Sequence, residues 1–224
     1  MEVMLAVLLG YLLGSIPITT LLARARGVDL ARMGTGNVGG TNLWNQVGPL
    51  LGVIGIIGDF AKGFLPPLLA VRLDWGQFAQ IAAASGAVAG QMWPVTLRFR
   101  GGRGNATATG AFSILSPLAT ALAFGLFLLF SIPKLKGIIA RRQVGKSSKS
   151  VPLAVLFAMS SYGVIASALG HQTAARASII IVALVLIRRL TAVWPPDPAT
   201  GRPPKRSLVA VLLFDRPSVR SGNR

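Results

Sequence analysis

Apolar residues come in long runs, and the polar positions between the runs mark where the chain should turn. The first run covers about 3–23, interrupted at Gly14, Ser15 and Pro17, an interruption that membrane helices tolerate. A polar stretch over 24–48 carries Arg24, Arg26 and Arg32. Runs over about 49–71 and 77–97 predict a second and a third span, the second holding Asp59 and Lys62. Residues 105–132 contain no charge, and runs at about 151–169 and 173–187 complete the pattern. A bilayer core asks for about 20 apolar residues per helix, so several of these runs suit it.

The uncharged run 105–132 reads either as one tilted helix or as a tight hairpin broken at Ser116-Pro117, and charge decides between them. With the hairpin, segments 24–48, 98–104, 134–150 and 188–224 share one side and hold three, three, six and eight Lys or Arg residues. Only Arg72 and Arg176 then lie on the other side, and Lys62 sits within a span. A single crossing would move fourteen of those charges across. Because basic residues accumulate in cytoplasmic loops, the hairpin is expected. The fold class is thus an all-α integral membrane protein with seven transmembrane helices and cytoplasmic glycine-rich loops. One membrane domain covers 1–192. A basic, proline-rich cytoplasmic tail, 193–224, is expected to be disordered, with Leu208 to Phe214 as an apolar patch that could rest on anionic lipid.

Composition agrees. The 224 residues are 52% hydrophobic and 13% charged, with a mean hydropathy of +0.62, whereas soluble domains carry about 25% charge. A formal charge of +17 would suggest nucleic acid on a soluble chain. Here the basic residues lie between apolar spans, so no nucleic-acid partner is expected. There is no cysteine, and His171 is the lone histidine, which excludes disulfides, thiol chemistry and a histidine cage for a metal. The start of the chain lacks the basic n-region of a signal peptide and is expected to be a retained first span.

Two loops and one pair of charges could carry chemistry. The stretch from Arg32 to Asn42 contains Gly34-x-Gly36-x-x-Gly39. That spacing matches a dinucleotide fingerprint, yet no strand-rich βαβ unit surrounds it. What remains is a loop whose N–H groups can cradle an anion, with Thr35, Asn37, Thr41 and Asn42 beside them; the alternative is a plain turn between spans. Asp59 and Lys62 are three residues apart in an apolar span, so they share a helix face. Charges at such depth are functional candidates; a structural ion pair is the alternative. Arg98, Arg100 and Arg103 alternate with Gly101, Gly102 and Gly104, so guanidinium and backbone N–H groups could converge on phosphate. The next span opens with Asn105, and its N-terminus adds partial positive charge. No Ser-His-Asp set or carboxylate pair is available, so any chemistry must rest on positioning and electrostatic stabilisation of phosphate.

Three stretches together resemble the bacterial acyl-phosphate:glycerol-3-phosphate acyltransferases. Gly14-Ser15-Ile16-Pro17, Gly27 to Leu30 and Met33 to Asn42 are similar to the family's first motif. Asp59 to Gly63 is similar to the second, and Arg100 to Thr107 to the third. Order and spacing agree over roughly 8–135. The family pattern has serine where Thr35 stands, arginine at Asn45, histidine at Gln91 and lysine at Arg103. It also has a His and an Asn before its basic run near the chain end, where this chain is apolar before Ile187-Arg188-Arg189-Leu190.

The resemblance implies seven spans, a site on the cytoplasmic side of the bacterial inner membrane, and transfer of an acyl group from acyl phosphate to the 1-hydroxyl of glycerol 3-phosphate. The product would be lysophosphatidic acid, the first step of phospholipid synthesis. It implies catalytic roles for Thr35, Asn37, Lys62 and Arg103. Substrate would be held by Gly34, Gly36, Gly39, Thr41, Asn42, Asp59, Gly101, Gly102 and Gly104. No metal or other cofactor is required, and a monomer in the bilayer is expected. Two other readings stay open: a relative that binds a phosphorylated lipid or precursor without turnover, and a small anion transporter with Asp59 and Lys62 on its pathway.

Overall fold

The computed structural model describes residues 1–139, 150–192, 194, 196 and 207–215, and among them every element is helical. The first apolar run divides into α1 (Glu2–Gly14) and α2 (Ile18–Arg24), parted at Ser15 to Pro17. After a polar loop come α3 (Gly40–Gln46) and α4 (Pro49–Arg72). The third run forms α5 (Gln77–Met92) and then a single 3₁₀ turn, Val95–Leu97, rather than one helix to Leu97. The reason is Pro94, which disfavours helical backbone at the residue before it.

The uncharged run is broken. α6 (Asn105–Leu115) stops at Ser116, whose backbone is extended, and α7 (Pro117–Ile139) starts at the proline. Ser116 Oγ lies 2.7 Å from His171 Nδ1, so the lone histidine supports this break from the turn between α8 (Ser150–Ala168) and α9 (Gln172–Leu190). α7 runs past Ile132, the end expected from hydropathy, and takes Pro133 into the helix.

In the tail, Leu208–Phe214 forms a short helix, α10, which packs on α8 and α9. Residues 207–215 are therefore ordered where disorder was expected, because apolar side chains find cover: Val211 is buried. The rest of that expectation lies outside the described residues.

Among the described residues three helical stretches are long and apolar enough to cross a membrane: Glu2–Arg24, Pro49–Arg72 and Val151–Ala168. α1 packs on α5, α4 on α6, and α7 on α8, which in turn packs on α9. Glycines set the closest crossings. A Cβ at Gly10 or Gly14 would overlap backbone of α5, and one at Gly86 or Gly90 would overlap backbone of α1. Gly63 of α4 lies against the Thr107 carbonyl, and Gly110 of α6 against that of Phe60. Small residues give membrane helices this approach, where apolar side chains alone offer no driving force. The α4–α6 crossing matters most, since it sets Asp59 beside the first turn of α6, where the Thr107 hydroxyl donates to its carbonyl at 2.9 Å.

Candidate functional site

A cavity of about 650 Å³ opens where α3, α4, α5, α6, α7 and α8 meet. One end is polar and is lined by Asn37, Gly39, Thr41, Asp59, Gln91, Arg103 and Asn105. The other end is apolar, with Phe112, Phe124, Phe127, Val155, Met159 and Tyr162 on its walls. An amphiphile with a charged head and a hydrocarbon tail has this division.

The loop between α2 and α3 gives the cavity only part of the expected set. Asn37, Gly39 and Thr41 line it; Gly34, Thr35, Gly36 and Asn42 do not. Asn42 is instead the staple of the loop. It is buried, its Nδ2 donates to the carbonyls of Leu30 (3.1 Å) and Met33 (3.0 Å), and its Oδ1 accepts the Thr35 N–H at 3.3 Å. Gly34 and Gly36 have φ of +59° and +69°, values that glycine adopts without strain. Thr35 is exposed, and its hydroxyl accepts the N–H of Asn37 at 3.4 Å. It reaches the cavity through Asn37. Thr19 pins the far side by donating to the Val38 carbonyl at 2.8 Å.

Asp59 and Lys62 form the expected i,i+3 pair at 2.9 Å, with 3% and 4% exposure. Only Asp59 lines the cavity. Lys62 points behind it, donating to the Ile16 carbonyl at 2.9 Å and to Gln91 Oε1. Gln91 Nε2 donates to Asp59 Oδ2 at 3.2 Å. Gln91, which the sequence marks only as standing where the family pattern has histidine, bridges the two charges. An amide near the end of the apolar helix α5 was the available signal, since a buried polar side chain must find partners.

The second glycine loop serves a purpose other than the one its composition suggested. The N–H of Gly101 donates to Met92 O (3.1 Å) and that of Gly102 to Gln91 O (3.0 Å). These bonds satisfy carbonyls that the end of α5 leaves without helical partners. Their own carbonyls accept from Arg188, Nη2 to Gly101 at 2.6 Å and Nε to Gly102 at 3.0 Å. Glycine is needed because a Cβ at Gly101 would overlap the Gln91 carbonyl. The N–H groups of Gly101 and Gly102 are thus spent on α5, and neither glycine lines the cavity.

Arg103 and Gly104 do line it. Arg103 is 7% exposed, and Gly104, with φ +74°, turns the chain into α6. The first N–H groups of α6, at Asn105, Ala106 and Thr107, come ahead of the first intrahelical bond, Ala108 N–H to Gly104 O at 2.8 Å. The carboxamide oxygens of Asn37 and Asn105 are buried and have no partner among the described residues. The site thus offers a guanidinium, a helix N-terminus and two free acceptors, which fits an anion that also carries hydroxyl groups. Among the described residues no cluster of His, Cys, Asp or Glu could hold a metal.

The model of the glycerol-3-phosphate acyltransferase family matches residues 4–194. Over 124 residues the chain is 45% identical to the glycerol-3-phosphate acyltransferase of Syntrophotalea carbinolica, covering 54% of this chain and 63% of that one. Over 130 residues it is 44% identical to that of Rubrobacter xylanophilus, covering 58% and 63%. The chain therefore matches less than two thirds of the length of these curated relatives. The crystal structure of PlsY (YgiH), an integral membrane glycerol 3-phosphate acyltransferase, in its glycerol 3-phosphate form has a TM-score of 0.73 at 30% identity, covering 95% of this chain and 99% of that one. Its lysophosphatidic acid form gives 0.71 at 29%, with the same coverage. A match over residues 4–194, together with membrane-length apolar helices, makes this chain a membrane protein of the glycerol-3-phosphate acyltransferase family.

Proposed function

We propose that the protein transfers a fatty acyl group from acyl phosphate to the 1-hydroxyl of glycerol 3-phosphate, releasing lysophosphatidic acid and inorganic phosphate. The observation that carries this reading is the division of one cavity into a polar end at Arg103 and α6 and an apolar end between α6, α7 and α8. Solved relatives bearing glycerol 3-phosphate and lysophosphatidic acid, the acceptor and the product, support it.

In this reading Arg103 and the first turn of α6 hold phosphate oxygens, the guanidinium by charge-assisted hydrogen bonds and the helix end by its dipole. The Asn37 and Asn105 oxygens accept from glycerol hydroxyls and orient them. Asp59, neutralised by Lys62, is a further acceptor at the polar end. The 1-hydroxyl oxygen attacks the acyl carbonyl, the carbonyl–oxygen bond to phosphate breaks, and the proton goes to a phosphate of the substrates. The chain contributes position and electrostatic stabilisation, with Thr35 acting through Asn37 and Lys62 through Asp59 and Gln91. The acyl chain lies along the Phe112, Phe127 and Tyr162 wall.

Seven spans, formed by α1 with α2, α4, α5, α6, α7, α8 and α9, put the glycine loops, Arg188 and the tail on the cytoplasmic side of the inner membrane. The charge distribution supports this orientation. A monomer is the simplest form of this reading, which assigns every role to residues of one chain.

Complementation tests the reading. A bacterium depleted of its own glycerol-3-phosphate acyltransferase should grow when it expresses this chain. It should not grow on the Arg103→Ala variant present in the membrane at equal level. Equal rescue by both would remove Arg103 from the reaction.

A further inference from the structure

The tail delivers a carboxylate to the cation of the site. Arg189 Nη1 donates to the Leu212 and Leu213 carbonyls of α10, at 2.6 and 3.4 Å, while its Nη2 donates to Pro152 O of α8 at 2.8 Å. Arg189, itself 2% exposed, thereby fixes α10 to α8 and α9. The next residue after the helix, Asp215, has φ +47° and turns back toward the site. Both of its carboxylate oxygens accept from Arg103 Nε, at 2.7 and 2.8 Å. The guanidinium also stands over the Trp194 ring, 5.5 Å from its centroid. Arg103 lines the cavity; Asp215 is not among the lining residues. The region matched by the family ends at 194, so this grip on Arg103 comes from a segment beyond it.

We infer that Asp215 is a positioning residue: held by α10 outside the cavity, it fixes the Arg103 guanidinium at the angle that meets phosphate, so the tail completes the site. Arg103, Arg188 and Arg189 are all buried at this end of the fold. Like charges this close repel, and a long arginine side chain has many rotamers to escape into. A carboxylate on Nε removes that freedom and leaves both Nη groups of this cavity-lining residue outside the ion pair. It also subtracts one charge from an anion site, which would weaken phosphate binding. With three buried cations against one carboxylate the site keeps a net positive charge, so the gain in orientation dominates.

The inference rests on the acyltransferase reading, and the test separates the two. Full-length protein in nanodiscs is assayed as wild type, Asp215→Asn, Asp215→Glu and a chain cut after residue 206. KM and kcat for glycerol 3-phosphate are measured, with inorganic phosphate binding followed by phosphorus NMR. Asp215→Asn and the cut chain are expected to raise KM roughly tenfold or more, with a smaller change in kcat, because weakening a hydrogen bond between a charged group and phosphate costs binding of about that order. Both should bind inorganic phosphate correspondingly more weakly, and Asp215→Glu should restore most of the loss. An unchanged KM in Asp215→Asn overturns the inference, as does a lowered one, which would make Asp215 a tethered competitor of phosphate. If the wild type has no turnover, the acyltransferase reading fails; weaker phosphate binding by Asp215→Asn would still support positioning, and equal binding would overturn it.

Discussion

Arg103 is the residue on which three elements converge: it precedes α6, lines the cavity and is gripped by Asp215. Replacing it with lysine keeps the charge but not the planar fork, so a single nitrogen would have to serve both Asp215 and any bound phosphate. Arg103→Ala is expected to lower kcat/KM by roughly 10²–10³, the loss seen when one stabilising donor is removed. Arg103→Lys should fall between that variant and the wild type in a steady-state assay. The buried Asp59–Lys62 pair makes a different prediction. Lys62→Ala leaves a carboxylate buried without its ammonium, which should cost about 3–5 kcal/mol and show as a lower unfolding temperature in detergent. The double variant Asp59→Asn with Lys62→Met removes both charges and should regain much of that stability. A double variant as unstable as the single one would show that the pair's charges are not what Lys62→Ala disturbs.

Residue roles were the least legible part of the sequence. Thr35 and Asn42 stand in a glycine loop that suggests ligand contact, yet their bonds are to the loop itself. Gly101 and Gly102 suggested an anion nest, yet their N–H groups cap α5. Composition records that a backbone approaches something closely; it does not record whether that something is a ligand or a helix end. Asp215 was invisible for another reason. Its partner is 112 positions away, and no local pattern links them. The available clue was an acid closing an apolar heptapeptide within a basic tail.

At the scale of elements the sequence was far more informative. Apolar runs and proline positions mark the helices; the charge count calls for a break in the run 105–132, and the proline places it at Ser116-Pro117, where the structure has it. What hydropathy could not show is which helices touch, since that depends on where glycines face one another. The α4–α6 crossing offers a direct check. Gly63→Ala would drive a Cβ into the Thr107 carbonyl. Backbone cannot swing aside, so the helices must separate and break the bond that the Thr107 hydroxyl donates to the Asp59 carbonyl. We expect a loss of about 1–3 kcal/mol, typical of overpacking, with a fall in activity. Gly125→Ala in α7 is the control, because a Cβ there meets nothing within 4 Å. It should be neutral, or stabilising by a few tenths of a kcal/mol to about 1 kcal/mol, through helix propensity. Thermal unfolding of the two variants side by side decides whether close packing at Gly63 holds the site together.

For the whole molecule, the two ends of the helical bundle differ in chemistry. At one end Arg188 binds the Gly101–Gly102 loop, Arg189 binds the tail helix, and Arg103 faces the cavity. At the other, Arg176 donates to Gln77 Oε1 at 3.3 Å, joining the starts of α9 and α5. In the proposed orientation the first end is cytoplasmic. The absence of native cysteine makes this easy to examine. Arg100→Cys and Arg176→Cys, each exposed in the fold, should react with an impermeant thiol reagent from opposite faces of the membrane. Labelling of both from one face would contradict the orientation. In that proposed orientation the charged end of the cavity would meet water and phosphate esters, and the apolar end would take an acyl chain among the helices. The most direct measurement is therefore the reaction itself, with purified protein in nanodiscs, acyl phosphate and labelled glycerol 3-phosphate. The account predicts labelled lysophosphatidic acid and one inorganic phosphate released per product, both formed roughly 10²–10³ times more slowly in Arg103→Ala. Labelled product no greater than in empty nanodiscs would contradict it.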